Sequence, residues 1–327
     1  MEASSTLNPS RPLSFLEKCR VMAAAGAAVL LLNPVGWAVV APSDPDMGIT
    51  FVLLRAHGLG AWPALTVLAV VAGAIGTAVA GRRLPEAGVF AAAVGLAGLA
   101  LRGGSMRMLL AYQVTPDPAS RRAFMWAMAL DTLMWTALML VVWVAAMLVW
   151  RWLWSSPEEA GAAAASPPAA RGGGKDAPTA AAVWSRTPWS GWPALAVTGL
   201  VGLFVIWTTI ARTPVATIAR GQVIASIAGG LYLGAMAGRY FTGIDRAVWY
   251  AAAAPAIALV GWLLGYLAAD MSWAQAGGYK FYALLAITPP HNLVRALPVE
   301  YVAVGVAAAL CGFWGGERVE QAAREAV

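Results

Sequence analysis

The sequence predicts an all-α polytopic membrane protein: about eight transmembrane helices, arranged as two parallel four-helix repeats joined by a flexible linker. Three observations carry this. The composition is too apolar to supply a soluble shell, a succession of apolar runs is long enough to cross a bilayer, and one polar motif occurs twice.

Of the 327 residues, 60% are hydrophobic and 12% charged. Soluble domains carry about 45–50% apolar and about 25% charged residues. The mean hydropathy of +0.68 agrees. Several function classes drop out with it. The 2 cysteines, Cys19 and Cys311, cannot build a disulfide framework. The 2 histidines, His57 and His291, lie far apart without a metal-ligand spacing, so neither a metal nor another cofactor is expected. The net charge of +6 comes from basic residues placed singly or in pairs at the ends of apolar runs, a membrane pattern and not a nucleic-acid footprint. Arginine far outnumbers lysine and alanine abounds, as in a GC-rich bacterial genome, so the bacterial inner membrane is the expected location.

A spanning helix needs roughly 20 apolar residues. Eight runs qualify or nearly do: 21–41, 61–81, 87–101, 123–150, 193–211, 221–238, 247–269 and 301–314. The third is short, and the first carries Asn33-Pro34. A signal peptide is the alternative for the first, but Pro42 after "AVVA" would hinder cleavage, so an uncleaved anchor is expected. Residues 155–190 are rich in Ala, Pro, Gly and Ser without an apolar period, as a flexible extramembrane linker is. Trp150, Trp152 and Trp154 before it and Trp184, Trp189 and Trp192 after it mark one membrane face. The expected organisation is a segment 1–20, repeat A at 21–154, the linker at 155–190, repeat B at 191–316 and a tail at 317–327, with a short exposed helix in the C-terminal "GGERVEQAAREAV".

The duplication rests on one aligned stretch. Arg107, Val114-Thr115-Pro116 and Arg122-Ala123 match Lys280, Ile287-Thr288-Pro289 and Arg295-Ala296 at a constant offset, each stretch following a Gly-Gly pair. An even number of helices per repeat makes the repeats parallel. Small residues also recur: Gly230, Gly234 and Gly238 form a stripe in the sixth helix, matched by Gly73, Thr77 and Gly81 in the second. Small residues permit the close backbone contact that drives helix association in lipid. The two stripes are expected to meet at the repeat axis, or else to pack within their own halves.

Basic residues favour an N-terminus, linker and C-terminus on the cytoplasmic side. The repeated loop then faces outward, where Arg107, Arg122, Lys280 and Arg295 with Thr115 and Thr288 could contact an anion or a lipid headgroup. The same residues also suit plain duties, with Thr-Pro capping a helix and arginines snorkelling. Asp131 is the sharpest candidate, because an ionisable group inside an apolar run marks a functional hypothesis. It could relay protons, coordinate a cation or pair within the bundle. Glu300 could pair with Arg295 or cap the eighth helix.

No GxSxG, P-loop or paired-carboxylate motif is present, so no enzyme is expected. Two readings remain: a transporter-like protein for a solute or ion, built around Asp131, or a structural or accessory subunit of a membrane complex. Expected partners are the lipid bilayer and other membrane proteins or further copies of the chain, with no nucleic acid. A water-accessible cavity at Asp131 would favour transport; a dry, filled core would favour the scaffold.

Overall fold

The computed structural model describes residues 13–44, 47–52, 60–113, 117–154, 190–210, 216–269 and 291–325. The protein is an all-α polytopic membrane protein. Among the described residues, 7 helices are long and apolar enough to cross a membrane, and an eighth apolar helix, Ala87–Arg102, is shorter. The linker expected at 155–190 lies outside the described residues, apart from Ser190. So do Thr115, Lys280 and Thr288.

Helix α1 is the span Phe15–Val40. A capping box opens it: the Ser14 hydroxyl accepts from the Glu17 N–H, and the Ser14 N–H donates to the Glu17 carboxylate at 2.7 Å. Asn33-Pro34 does not break this helix. Proline lacks the N–H and crowds the preceding turn, and the chain absorbs this as one wide π-turn over Leu32–Gly36. Helix α2 is Ala61–Ala80, ended by Gly81 at a φ of 88°, which glycine adopts without strain. Helix α3 is Ala87–Arg102, α4 the short Met106–Gln113, and α5 the long Pro118–Trp154. The second half holds α6 (Trp192–Thr209), α7 (Ala216–Thr242) and α8 (Ala247–Leu267). A 3-10 turn, Asn292–Arg295, and a π-turn, Glu300–Val304, then lead into α9 (Gly305–Glu325).

The spans alternate in direction. At one end, here the linker end, Arg83 after α2 pairs with Glu17 of α1 at 3.2 Å, and Trp150 near the close of α5 donates its indole N–H to the Arg82 carbonyl at 2.9 Å. Arg239 near the close of α7 pairs there with Glu320 of α9 at 3.3 Å. At the opposite, distal end, Gly104 after α3 donates to the Met47 carbonyl after α1, and Asn292 donates to the Trp207 carbonyl of α6. The start of α1 and the end of α9 therefore share the linker end.

Helix α3 is the centre of the bundle. Its first seven residues, Ala87 to Ala93, are all buried, because α1, α2, α5 and α9 surround it. A segment enclosed in this way has no polar face to keep, which is why Ala87 to Ala93 is apolar all round. Helix α7 lies between α6 and α9, and α8 packs on α5, α6 and α9. The first and second halves thus meet through α3 against α9 and α5 against α8.

The small-residue stripes pack within their own halves. A Cβ on Gly234 would lie 2.5 Å from the Thr198 carbonyl of α6, and one on Gly230 would lie 3.0 Å from the Gly202 carbonyl of α6. Gly238 faces Thr198 and Ala194 of α6. In α2, Gly73 faces Val142 of α5 and the Gly88 carbonyl of α3. Thr77 is fully buried, with its hydroxyl bonded to the Gly73 carbonyl at 2.9 Å. The axial alternative is thus replaced by contacts with the nearest sequence neighbours.

The C-terminal helix differs from the expectation of a separate short element. The eighth run is expected to end at 314, yet α9 continues through Gly315-Gly316 to Glu325. The reason is close packing: a Cβ on Gly315 would lie 3.1 Å from the Tyr232 hydroxyl, and one on Gly316 would lie 2.7 Å from the Arg239 Cβ.

Candidate functional site

Two buried carboxylates, Asp131 and Glu300, lie towards the distal end, and the short α3 explains the pairing of one of them. At 1.5 Å per residue its 16 residues reach about 24 Å, less than the roughly 30 Å of a hydrocarbon core. Its last carbonyls therefore end inside the protein and need donors. Arg220, in the first turns of α7, provides them. Its Nη2 donates to the Ala100 carbonyl at 2.7 Å and its Nη1 to the Gly103 carbonyl. The cation also faces the negative end of the helix dipole.

The remaining Arg220 donor, Nε, binds Glu300 Oε1 at 3.0 Å. The second Glu300 oxygen accepts from the Leu297 N–H at 2.8 Å, closing the start of the last helix as a capping glutamate does. The expectation that Glu300 caps this helix holds, but its ion-pair partner is Arg220 and not Arg295. Glu300 is buried, and the pair joins α3, α7 and the start of the last span.

Asp131 sits in the same region and is 0% exposed. Its Oδ1 accepts from the Phe51 N–H at 2.6 Å and the Val52 N–H at 3.3 Å; its Oδ2 accepts from the Trp135 indole at 3.0 Å, one helical turn on. The rings of two of these partners, Phe51 and Trp135, also pack against each other with centroids 4.6 Å apart. Residues 47–52 are irregular backbone at the distal end, a conformation tolerated in a membrane only where protein encloses it and satisfies its N–H groups. Asp131 satisfies two of them. Gly48 lets the segment fit, since a Cβ there would lie 2.6 Å from Leu297 Cδ1.

Two further links complete the region. The Trp262 indole of α8 donates to the Thr132 hydroxyl of α5 at 2.9 Å, and that hydroxyl donates to the Met128 carbonyl. Arg102 donates to the Asn33 carbonyl at 3.0 Å, an oxygen at the π-turn, and lies over the Trp37 ring. His291 stacks on Trp207 at 5.7 Å, and burial pulls its imidazole down to a pKa of about 4.

The repeated loop is only partly described. Arg107 lies half-buried on α4, and that helix touches the 3-10 turn ending in Arg295. Arg122 is exposed near the start of α5 and lines a cleft with Tyr266 of α8. Among the described residues, no group of three or more His, Cys, Asp or Glu side chains could hold a metal ion.

In this arrangement the charged groups face backbone donors and acceptors or one another. Both Asp131 oxygens are occupied and sealed from water; Arg220 and Glu300 are spent on backbone and on each other. Sequence reasoning missed Arg220, which it counted as a topological charge, and it missed Phe51, Val52 and Trp135 as partners of Asp131. The i, i+4 spacing of Asp131 and Trp135 was a readable signal, as was the shortness of the third run. No protein-family model, curated protein or solved structure matches this chain.

Proposed function

We propose that this integral membrane protein is a non-catalytic structural or accessory subunit of a membrane complex, with Asp131 as an internal anchor. The observation that carries the reading is the enclosure of Asp131 by the Phe51 and Val52 amides and the Trp135 indole. A transport residue must exchange a proton, ion or solute with water, whereas the Asp131 carboxylate is fully buried with a donor on each oxygen. The two-repeat arrangement is part of the proposal. It is supported by the reciprocal contacts α3 with α9 and α5 with α8, which a two-fold exchange of the halves would interchange. The proposed location is the bacterial inner membrane with the linker end cytoplasmic, as the basic residues favour.

A second reading, a transporter-like protein for a solute or ion, is favoured by one observation. The buried Arg220–Glu300 pair lies where the halves meet, a position from which an ion pair could open and close.

Proteoliposomes discriminate the two. With a pH-sensitive dye inside and a potential or pH gradient imposed, the anchor reading expects no flux that depends on Asp131 or Glu300. Flux through the intact protein that disappears in Asp131→Asn or Glu300→Gln, with protein level and melting temperature retained, would overturn it.

A further inference from the structure

On the lipid-facing flank, α5 and α8 border an open cleft of about 700 Å³, lined by Arg122, Trp126 and Ala129 of α5 and by Leu259, Trp262 and Tyr266 of α8, among others. That volume falls in the range of about 300–1,000 Å³ typical of ligand clefts. We infer that this cleft holds one acyl chain of an anionic phospholipid, with the phosphate on Arg122.

The chemistry is graded along the cleft. Arg122 and Tyr266 sit where α5 begins and α8 ends, at the distal rim; Ala129 and Leu259 lie seven residues deeper, about 10 Å by helical rise. A cation and a phenol at the rim over an apolar interior match a headgroup over its tail. Trp126, 60% exposed beside them, suits the headgroup zone.

The floor is fixed rather than adaptable. Trp262 is 1% exposed, and its indole is bonded to Thr132 at 2.9 Å. A Cβ on Gly265 would lie 2.9 Å from the sulfur of Met125, itself a lining residue, so the two helices approach closely at this level. The small side chain of Ala129 leaves the concavity that a larger one would fill.

Charge complementarity selects the occupant. Arg122 is exposed, and no carboxylate among the described residues pairs with it. A guanidinium at headgroup depth attracts a phosphate diester and favours a lipid with net negative charge. This inference stands whether the protein is a scaffold or a transporter.

The test uses the full chain in vesicles of phosphatidylglycerol and phosphatidylcholine, each carrying a photoreactive diazirine on one tail in separate experiments. The expected result is an adduct on the α5 and α8 peptides spanning 122–129 and 259–266, several-fold stronger with phosphatidylglycerol. Arg122→Gln should reduce that preference several-fold, and Ala129→Phe should abolish the adduct. Arg151→Gln, at the opposite end of α5, should leave it unchanged. Adducts spread evenly over all lipid-facing helices in the unaltered protein would overturn the inference, as would equal labelling by both lipids. Cross-linking of the cleft to residues 270–290 of the chain itself would overturn it too.

Discussion

Arg220 of α7 donates to the main-chain oxygen of Ala100 in α3 across 2.7 Å, so a residue of the second half closes a helix of the first. The same guanidinium holds Glu300 at 3.0 Å, and the carboxylate offsets the charge that the capping requires. Breaking one member of a buried pair leaves the other uncompensated, at roughly 3–5 kcal/mol. Arg220→Met should therefore lower stability by about 3 kcal/mol, read as a fall in melting temperature in detergent. Arg220→Met with Glu300→Gln should cost less than the two single changes added together. Strict additivity would mean that the pair does not couple the halves.

Asp131 separates two kinds of loss. Asp131→Asn keeps one acceptor oxygen for the Phe51 and Val52 amides but turns an amine towards the Trp135 indole, losing a hydrogen bond worth about 1 kcal/mol. Asp131→Leu strands both backbone amides and the indole and should cost several times more, since each buried orphan adds about 1–3 kcal/mol. Limited proteolysis within residues 42–60 should accelerate in the leucine variant well beyond the asparagine variant. Equal rates would remove Asp131 as the anchor of 47–52.

The close approach of α7 to α6 predicts a contrast between neighbouring glycines. A Cβ on Gly234 would lie 2.5 Å from the Thr198 carbonyl, whereas one on Gly229 meets nothing within 4 Å. Gly234→Ala should push the helices apart and destabilise by about 1–3 kcal/mol, as overpacking does. Gly229→Ala should be neutral, or stabilising by about 0.5–1 kcal/mol through reduced backbone freedom. Melting curves of the two variants decide it, and equal curves would contradict the packing described here.

His291 gives a pH dependence with a defined sign. Burial lowers its pKa from 6.5 to about 4, so between those values the unfolded chain binds a proton that the folded chain does not. Stability contributed by the neutral ring is complete above about pH 6.5 and is lost as the pH falls towards 4. The melting temperature should drop across that window, and His291→Phe, which keeps a ring against Trp207, should flatten the drop. An unchanged pH slope in the phenylalanine variant would assign the effect elsewhere.

Much of the fold was legible one residue at a time. All eight apolar runs form helices, because a spanning segment must satisfy its own backbone and announces this by length and composition, but the first begins at Phe15 and the last continues to Glu325. The last helix outruns its apolar run because Gly315 and Gly316 lie close against Tyr232 and Arg239, a contact that only the tertiary structure reveals. Arg220 misled for a related reason. A charge at the end of an apolar run suggests a headgroup anchor, and nothing local reveals that it reaches another helix.

The sequence by itself determined the solvent, the number and placement of the helices, and the oddity of Asp131. Those are properties of single segments, decided by apolar length and by the presence of one charge. The tertiary structure decided what that charge does. Whether Asp131 meets water or the amides of Phe51 and Val52 depends on a loop about 80 positions away in the chain, and desolvation with hydrogen bonding, not residue type, makes it an anchor.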